Sequence, residues 1–585
     1  MFRNVFKVIK IYFHISKLSL IILLLFSVML SILPIYSLTI TEEIGNNISK
    51  STDFSKIIWL LIFQAILYIS IQILSLINSI IENNLDYKFT YHFELKLINK
   101  LGKIKTSTLD NSTIYNDILQ VSQIIPLMGT RLLIDIIELF KGILSITGLI
   151  VILKNLHWSI VTLLVIISVI NFLMSRLYNK EELAILNKTS EIKRKKDTIW
   201  DLLKNRESVV QIKMFQVGDY LINKWSKYYW KAVNPERRLN NKREFLVQIL
   251  MIGTQILQLV ILIIFIISNW PNIPIGTFML LIQAISQFQG FSHQIVGSLT
   301  NLHQSIIYLP LYFNILNKEE EKPTATEKIY FEKLEHSIRV KDLSFRYSNS
   351  ESYSLKNVNL EILKGEKVAI VGFNGSGKTT LIKCLIGLYD NYDGSIYYDS
   401  REIQEYNQYS IRQQIGWLAQ DFIEYPYSLE ENVFLGDIRN KNPDLTYSLE
   451  KSLVNDFAKK LPLKLKTMLD PSFEEGIDLS GGQWQKVALA RLFYRDSNLM
   501  VMDEPTSAID PISENKIYKN LFKEDKDKTI IILTHRLNVC TLVDKIIVMK
   551  DGKITDIGSH KELIKSSSYY NKLYTSQTQD GYLKL

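Results

Sequence analysis

The sequence predicts two parts in series: an α-helical transmembrane domain of six spans, then an α/β domain built around a phosphate-binding loop. Three observations carry this expectation. Long apolar runs crowd the first 310 or so residues and are missing from the rest. Lysine and arginine gather between those runs rather than within them. Beyond residue 337, β-branched runs alternate with helical patterns, and one of these junctions is glycine-rich.

The chain has 585 residues, enough for two or more domains, and 47% of them are hydrophobic. A formal charge of +9 would suit nucleic-acid binding. Its placement between apolar runs instead matches the cytoplasmic loops of membrane proteins, and no nucleic-acid partner is expected. The two cysteines, Cys384 and Cys540, lack metal-ligand spacing and read as reduced, structural thiols.

Segments long enough to cross about 30 Å of hydrocarbon fall near 18–40, 57–81, 137–156, 158–177, 245–268 and 276–298. The first follows Arg3, Lys7, Lys10 and Lys17 and lacks a small-residue cleavage site, so it reads as a retained helix. Residues 1–17 and the segment between spans four and five, with "KRKK" (193–196), Arg237, Arg238, Lys242 and Arg243, are basic. The opposite face has short loops such as "NWPNIPI" (269–275). Both termini are therefore expected on the cytoplasmic side of the cell membrane. The connections 82–136 and 178–244 lack Gly/Pro punctuation and read as helices continuing the spans. They are broken at "TSTLDNSTIYND" (106–117) and near "FQVGDY" (215–220). Short helices there would either touch a second domain or form ordinary solvated turns.

Span six is the least apolar. Gln283, Gln287, Gly290 and Gln294 make one stripe, and span five adds Gln248 and Gln255. Amides at membrane depth need partners or water, so the stripe is either glue between helices or, the favoured reading, the wall of a wet cavity. The span centres hold essentially no Asp, Glu or Arg, so energy for any transport must enter from outside the membrane.

After the charged connector "NKEEEKPTATEK" (317–328) come the strand "SIRVKDLSFRY" and then "KVAIVGFNGSGKTTLIKCLIGL" (367–388). This places the transmembrane domain at 1–316, a linker at 317–336 and the α/β domain at 337–585. The spacing Gly372-x₄-Gly377-Lys378-Thr379 is that of a phosphate-binding loop. Asn374, Gly375 and Ser376 supply inward amides, and the helix through Thr380 presents its positive end to the same anion. Lys378 is placed for the β- and γ-phosphates and Thr379 for Mg²⁺. Further on, "NLMVMDEPTSAID" (498–510) is a buried strand ending in two carboxylates. Asp503 suits the outer shell of Mg²⁺ through water, and Glu504 suits polarising an attacking water. A third strand, "TIIILTHR" (529–536), ends in His535, at the edge where ligands bind in open α/β sheets.

Together these motifs resemble the nucleotide-binding domain of ABC transporters over most of 337–575. "LSGGQ" (479–483) is similar to that family's signature, Gln420 in "WLAQDF" falls on its glutamine loop, Tyr347 in "FRYS" on its adenine-stacking aromatic, and Asp510 on its D-loop. The resemblance implies ATP and Mg²⁺, with Thr379 and Gln420 near the metal and Glu504, His535 and Gln420 serving hydrolysis. It also implies two domains facing head to tail, so that Ser480, Gly481, Gly482 and Gln483 clamp the γ-phosphate held by the other copy. One such domain per chain implies a homodimer, or a heterodimer with a related chain. Six spans with long extensions resemble an exporter half-transporter in which residues near 106–117 and 207–220 are coupling helices.

"LSGGQWQKVALAR", with Trp484 where a basic residue is commoner, resembles lanthipeptide (lantibiotic) exporters of Gram-positive bacteria. That implies a ribosomally made peptide as cargo, with separate modification enzymes. No cysteine precedes Cys384, so a peptidase domain ahead of the first span is not expected, and a leader would need a separate protease. The alternative reading is a lipid or multidrug exporter of the same architecture.

Overall fold

The computed structural model describes residues 2–50, 54–128, 131–154, 158–271, 273–320, 329–347, 350–440, 444–524 and 527–579. The chain divides into two compact units. One comprises Met1–Gly102 and Asn116–Lys318, the other Lys103–Tyr115 and Glu319–Leu585. Most of the connector, residues 321–328, lies outside the described residues.

The helices of the N-terminal half are α1 (Phe2–Ser49), α2 (Phe54–Leu101), α3 (Thr106–Leu109), α4 (Ser112–Met128), α5 (Arg131–Lys154), α6 (Trp158–Lys204), α7 (Arg206–Met214), α8 (Gly218–Ser268) and α9 (Ile275–Leu316). The expected helical continuation of the spans is present. With 51 residues, α8 is about 75 Å long at 1.5 Å per residue, far more than a bilayer core needs. Helix α1 is interrupted at Ser16 (φ −156°, ψ 67°), which separates a short basic arm from the apolar run.

Among the described residues, four helices are long and apolar enough to cross a membrane: α1, α2, α5 and α8. The sequence predicts six spans. Those expected near 158–177 and 276–298 lie on the long helices α6 and α9. In α9 the glutamines dilute the apolar run; in α6 only part of the stretch has described side chains. In the first unit Leu38 of α1, Leu149 and Leu153 of α5, Leu262 of α8, and Leu281 and Phe288 of α9 form a buried cluster. Helices α1 and α9 cross at glycines. A Cβ on Gly276 would sit 2.0 Å from the Glu42 carbonyl oxygen, and one on Gly45 would sit 2.5 Å from Gly276 Cα. Only missing side chains let the backbones come this close. Beside the crossing, the Thr277 hydroxyl donates to Glu42 Oε1 at 2.9 Å.

The glutamine stripe flanks this packed face. Leu281, Ala284, Ile285 and Phe288 are buried, whereas Gln283, Gln287 and Gln294 are half-buried and Gly290 opens to space. Gln287 Oε1 is enclosed without a hydrogen-bond partner.

The first polar break holds the short helix α3 and the start of α4; the second, at 215–220, is the turn between the short helix α7 and the start of α8. The segment carrying α3 groups with the second unit. There Ile104 bridges Glu320, Lys105 pairs with Glu319 at 3.2 Å and Asp390 at 3.0 Å, and Asp110 accepts from Tyr389. Of the two readings open for 106–117, contact with the α/β domain is the one observed.

The second unit contains β1 (Ser337–Phe345), β2 (Leu355–Leu363), β3 (Lys367–Val371), β4 (Asp393–Tyr398), β5 (Arg401–Glu402), β6 (Ile415–Leu418), β7 (Leu499–Asp503), β8 (Thr529–Leu533), β9 (Lys545–Lys550) and β10 (Lys553–Gly558). A four-stranded antiparallel sheet runs β2-β1-β4-β5, and a six-stranded sheet runs β10-β9-β3-β8-β7-β6. The larger is parallel from β9 to β6, with β10 added antiparallel. Every residue of β3, β7 and β8 is buried, as a parallel sheet covered on both faces requires. Because β8 pairs with both β3 and β7, the carboxyl ends of these three strands lie side by side. That edge positions the site. Cys384 and Cys540 are free and buried, and burial pushes both thiols up to about 12.

Candidate functional site

The turn after β3 is shaped by glycines. A Cβ on Gly372 would lie 2.2 Å from the Met549 carbonyl oxygen, and Gly377 (φ +98°) is left-handed with Ser354 O at 2.7 Å from the same virtual atom. Helix α10 (Lys378–Leu385) starts directly after Gly377. Its first residue folds back over the loop, with Lys378 Nζ donating to Gly372 O at 2.9 Å and Phe373 O at 3.2 Å.

The three strand ends converge on this loop. Thr379 Oγ1 donates to Asp503 Oδ2 at 2.9 Å. His535 Nε2 stands 3.3 Å from Lys378 Nζ and 3.2 Å from Glu504 Oε1. Glu504 has φ +49°, a left-handed conformation that non-glycine residues adopt only under constraint. Its amide donates to Leu533 O at 2.9 Å, tying the strained residue to β8.

Burial lowers the Lys378 ammonium, with Asp503 and Glu504 opposing. Burial raises Asp503 against the Thr379 hydrogen bond. His535 is lowered from its ordinary 6.5 by burial and then by Lys378, with Glu504 opposing. The imidazole is therefore neutral at neutral pH, and its contact with Glu504 is a hydrogen bond rather than an ion pair. Nε2 cannot satisfy both neighbours: protonated it donates to Glu504, bare it accepts from Lys378.

A cavity of about 570 Å³ occupies this corner, lined by Asn374 to Thr380, Gln420, Asp503, Glu504 and His535. Gly372 adjoins it through the Lys378 contact. Three predicted groups stand elsewhere. Tyr347 does not line the cavity; its hydroxyl lies 3.1 Å from Thr380 Oγ1, and its ring meets Phe345 and Tyr389 edge-on. Ser480 caps the helix Gly481–Tyr494: its hydroxyl accepts from the Gln483 amide at 3.4 Å while Gln483 Oε1 accepts from the Ser480 amide at 2.9 Å. Asp510 accepts from the Ser513 amide at 2.9 Å, and the Ser513 hydroxyl first, then that amide, hold its carboxyl below the usual range. Ser480, Gly481 and Asp510 are exposed and Gly482 half-buried, and none of them lines the cavity.

Sequence reasoning missed Lys356 and Asp551 of the cavity lining, and also Tyr353, Gln485 and Arg536. Tyr353 lines the cavity. Gln485, within the signature helix and 3% exposed, donates to Glu504 O at 2.9 Å and Ser507 Oγ at 3.1 Å, and accepts from the Ala508 amide at 2.8 Å. Arg536 joins buried Glu514 at 2.6 Å and Ser507 O at 2.9 Å, bracing the loop after His535 against the turn after Glu504. Only the spacing of Gln485 from "LSGG" signalled any of these. Trp484 is buried in an apolar cluster with Val487 and Leu479, so its departure from the family pattern is a packing choice.

The donor set fits Mg²⁺. A hydroxyl, a carboxylate and an amide oxygen, from Thr379, Asp503 and Gln420, share one cavity, and this hard ion prefers oxygen ligands with water and phosphate completing its shell.

Residues 355–507 match the family model described as ABC transporter. The chain is 32% identical to the subtilin transport ATP-binding protein of Bacillus subtilis over 98% of this chain and 94% of that protein. It is 28% identical to the nisin transport ATP-binding protein of Lactococcus lactis subsp. lactis over 97% and 95%. A putative multidrug export ATP-binding/permease protein of Bacillus subtilis is 30% identical over 53% of each chain. Among solved structures, a bacterial Atm1-family ABC exporter with ATP bound has a TM-score of 0.81 at 19% identity, covering 95% of this chain and 97% of that one.

Proposed function

Since the chain belongs to the ABC transporter family, we propose that it is an ATP-driven exporter of the cell membrane whose cargo is a ribosomally made, lanthipeptide-like peptide. The observation that carries the ATPase half is the convergence of Lys378, Thr379, Asp503, Glu504 and His535 on one cavity. The observation that carries the cargo is full-length similarity to subtilin and nisin transport proteins. The basic segments between spans support both termini facing the cytoplasm.

ATP enters with its phosphates on the loop amides and Lys378, and Tyr347 or the neighbouring Tyr353 flanks the base. Mg²⁺, held by Thr379 and Gln420 with Asp503 in its outer shell, would neutralise charge on the β- and γ-phosphates. Glu504 orients a water and takes its proton as the water oxygen bonds the γ-phosphorus. The bond to the bridging oxygen breaks, and ADP leaves with that electron pair. Neutral His535 donates a hydrogen bond to the γ-phosphate.

Ser480 and its neighbours contribute nothing to their own cavity. This supports a second copy whose helix N-terminus, at Gly481–Tyr494, closes the first copy's site. ATP then favours the closed pair and ADP the open one, which is the differential affinity that transport needs.

Mixing chains carrying Lys378→Ala with chains carrying Ser480→Arg tests the shared site. Each variant alone is expected to be inactive, and the mixture to regain ATPase activity through one intact pocket per mixed pair. No regain would refute the two-copy reading. For the cargo, inside-out vesicles should accumulate nisin or subtilin in an ATP-dependent way that Glu504→Gln abolishes. Uptake of hydrophobic cations without peptide uptake would move the assignment to multidrug export, the reading favoured by the half-length relative.

A further inference from the structure

The C-terminal helix, Ser568–Gln579, reaches the phosphate-binding loop, and the proposed reaction makes no use of that contact. Phe373, the residue that follows Gly372 in the loop, is 58% exposed. Its ring is covered in part by Tyr569, with centroids 5.8 Å apart and planes at 69°, the edge-to-face arrangement that aromatic pairs prefer. Lys550 Nζ lies 5.4 Å from the Tyr569 centroid. Burial pushes the Tyr569 phenol up while the Phe373 backbone amide pulls it down, as a donor near the phenol oxygen does.

Tyr569 is held firmly from behind. Ser567 Oγ donates to Asp556 Oδ2 on β10 at 2.8 Å. Tyr570 is fully buried, with its hydroxyl 2.8 Å from His560 Nδ1. It packs in one cluster with Ala369 and Val371 of β3. The strand that launches the loop and the helix that touches its first turn thus share a core. On the loop side, the Phe373 carbonyl accepts from Lys378 Nζ at 3.2 Å and from the Ser376 amide at 3.1 Å. The residue whose ring meets Tyr569 is the one whose carbonyl holds the phosphate-binding lysine.

We propose that Tyr569 is a positioning residue for the phosphate-binding loop: by holding Phe373 it sets the Phe373 carbonyl and thereby Lys378, so that the C-terminal helix tunes nucleotide affinity. The proposal rests on reading this loop as the ATP site. Tyr569 is not part of the cavity lining and acts only through Phe373.

The test is steady-state ATP hydrolysis by the full chain in detergent, with melting temperature recorded alongside. Tyr569→Ala and Phe373→Ala should each raise the KM for ATP about two- to tenfold, the range an aromatic pair converts to, with kcat changed less than KM. The double variant should match the worse single one, and Tyr569→Phe, which keeps the ring but loses the hydroxyl beside the Phe373 amide, should fall between wild type and Tyr569→Ala. Unchanged KM in both single variants, or effects that multiply in the double, would overturn the proposal. Should Tyr569→Ala fold poorly, Phe373→Ala tests the same contact from the exposed side. A wild-type chain without saturable ATP hydrolysis would overturn the nucleotide reading too; saturable wild type with unaffected variants overturns this proposal alone.

Discussion

The Tyr389 hydroxyl donates to Asp110 Oδ2 at 2.8 Å. The same ring meets Tyr347 edge-on at 5.7 Å, and the Tyr347 hydroxyl lies 3.1 Å from Thr380 Oγ1. Side chains therefore run in contact from the segment between α2 and α4 to the helix behind the phosphate loop. Tyr389→Phe and Asp110→Ala should each lower peptide moved per ATP hydrolysed while leaving ATP binding within about twofold. One such bond contributes about 1 kcal/mol, so the melting temperature should fall by a few degrees at most. Unchanged transport stoichiometry in both variants would remove this contact from the coupling path.

Glu504 carries its left-handed strain in the cavity it shares with Lys378 and His535. Glu504→Gln keeps size and hydrogen bonding but removes the proton acceptor. Hydrolysis should fall about 10²- to 10⁴-fold with ATP binding preserved. Turnover within a few-fold of wild type would mean that another group polarises the water.

His535 gives a pH signature. Its folded value lies below the ordinary 6.5, so on acidification the unfolded chain takes up the proton first. The stabilisation is complete above that ordinary value and is lost as pH falls through the lower folded value. ATPase activity should decline in the same window, because a charged imidazole beside Lys378 is repelled by it. His535→Ala should flatten the stability profile measured by thermal unfolding between pH 5 and 7; a profile as steep as wild type would contradict the assignment.

The glycine crossing of α1 and α9 makes a clean comparison. Gly276→Ala places a methyl against backbone and should destabilise by about 1–3 kcal/mol, seen as a lower melting temperature in detergent. Gly253→Ala, on α8 with nothing within 4 Å of its virtual Cβ, should be neutral or stabilising by up to about 1 kcal/mol through helix propensity. Equal effects at the two positions would mean the crossing is not close-packed.

Read by itself, the sequence determined the features whose geometry is local. Apolar run length gave the long helices, and strand, glycine turn and helix gave the phosphate loop. Each depends on residues within one or two turns of each other, so composition and spacing suffice. What only the tertiary structure decided was which distant residues meet. Thr379 and Asp503 are 124 residues apart, and Tyr389 and Asp110 are 279 apart. Gln485 braces Glu504 and Tyr569 holds Phe373 for the same reason: packing of the sheet and its flanking helices brings them together, and no periodicity along the chain encodes such a meeting. The glutamine stripe was visible at once, yet whether its amides found partners depended on which face of α9 the neighbouring helices covered.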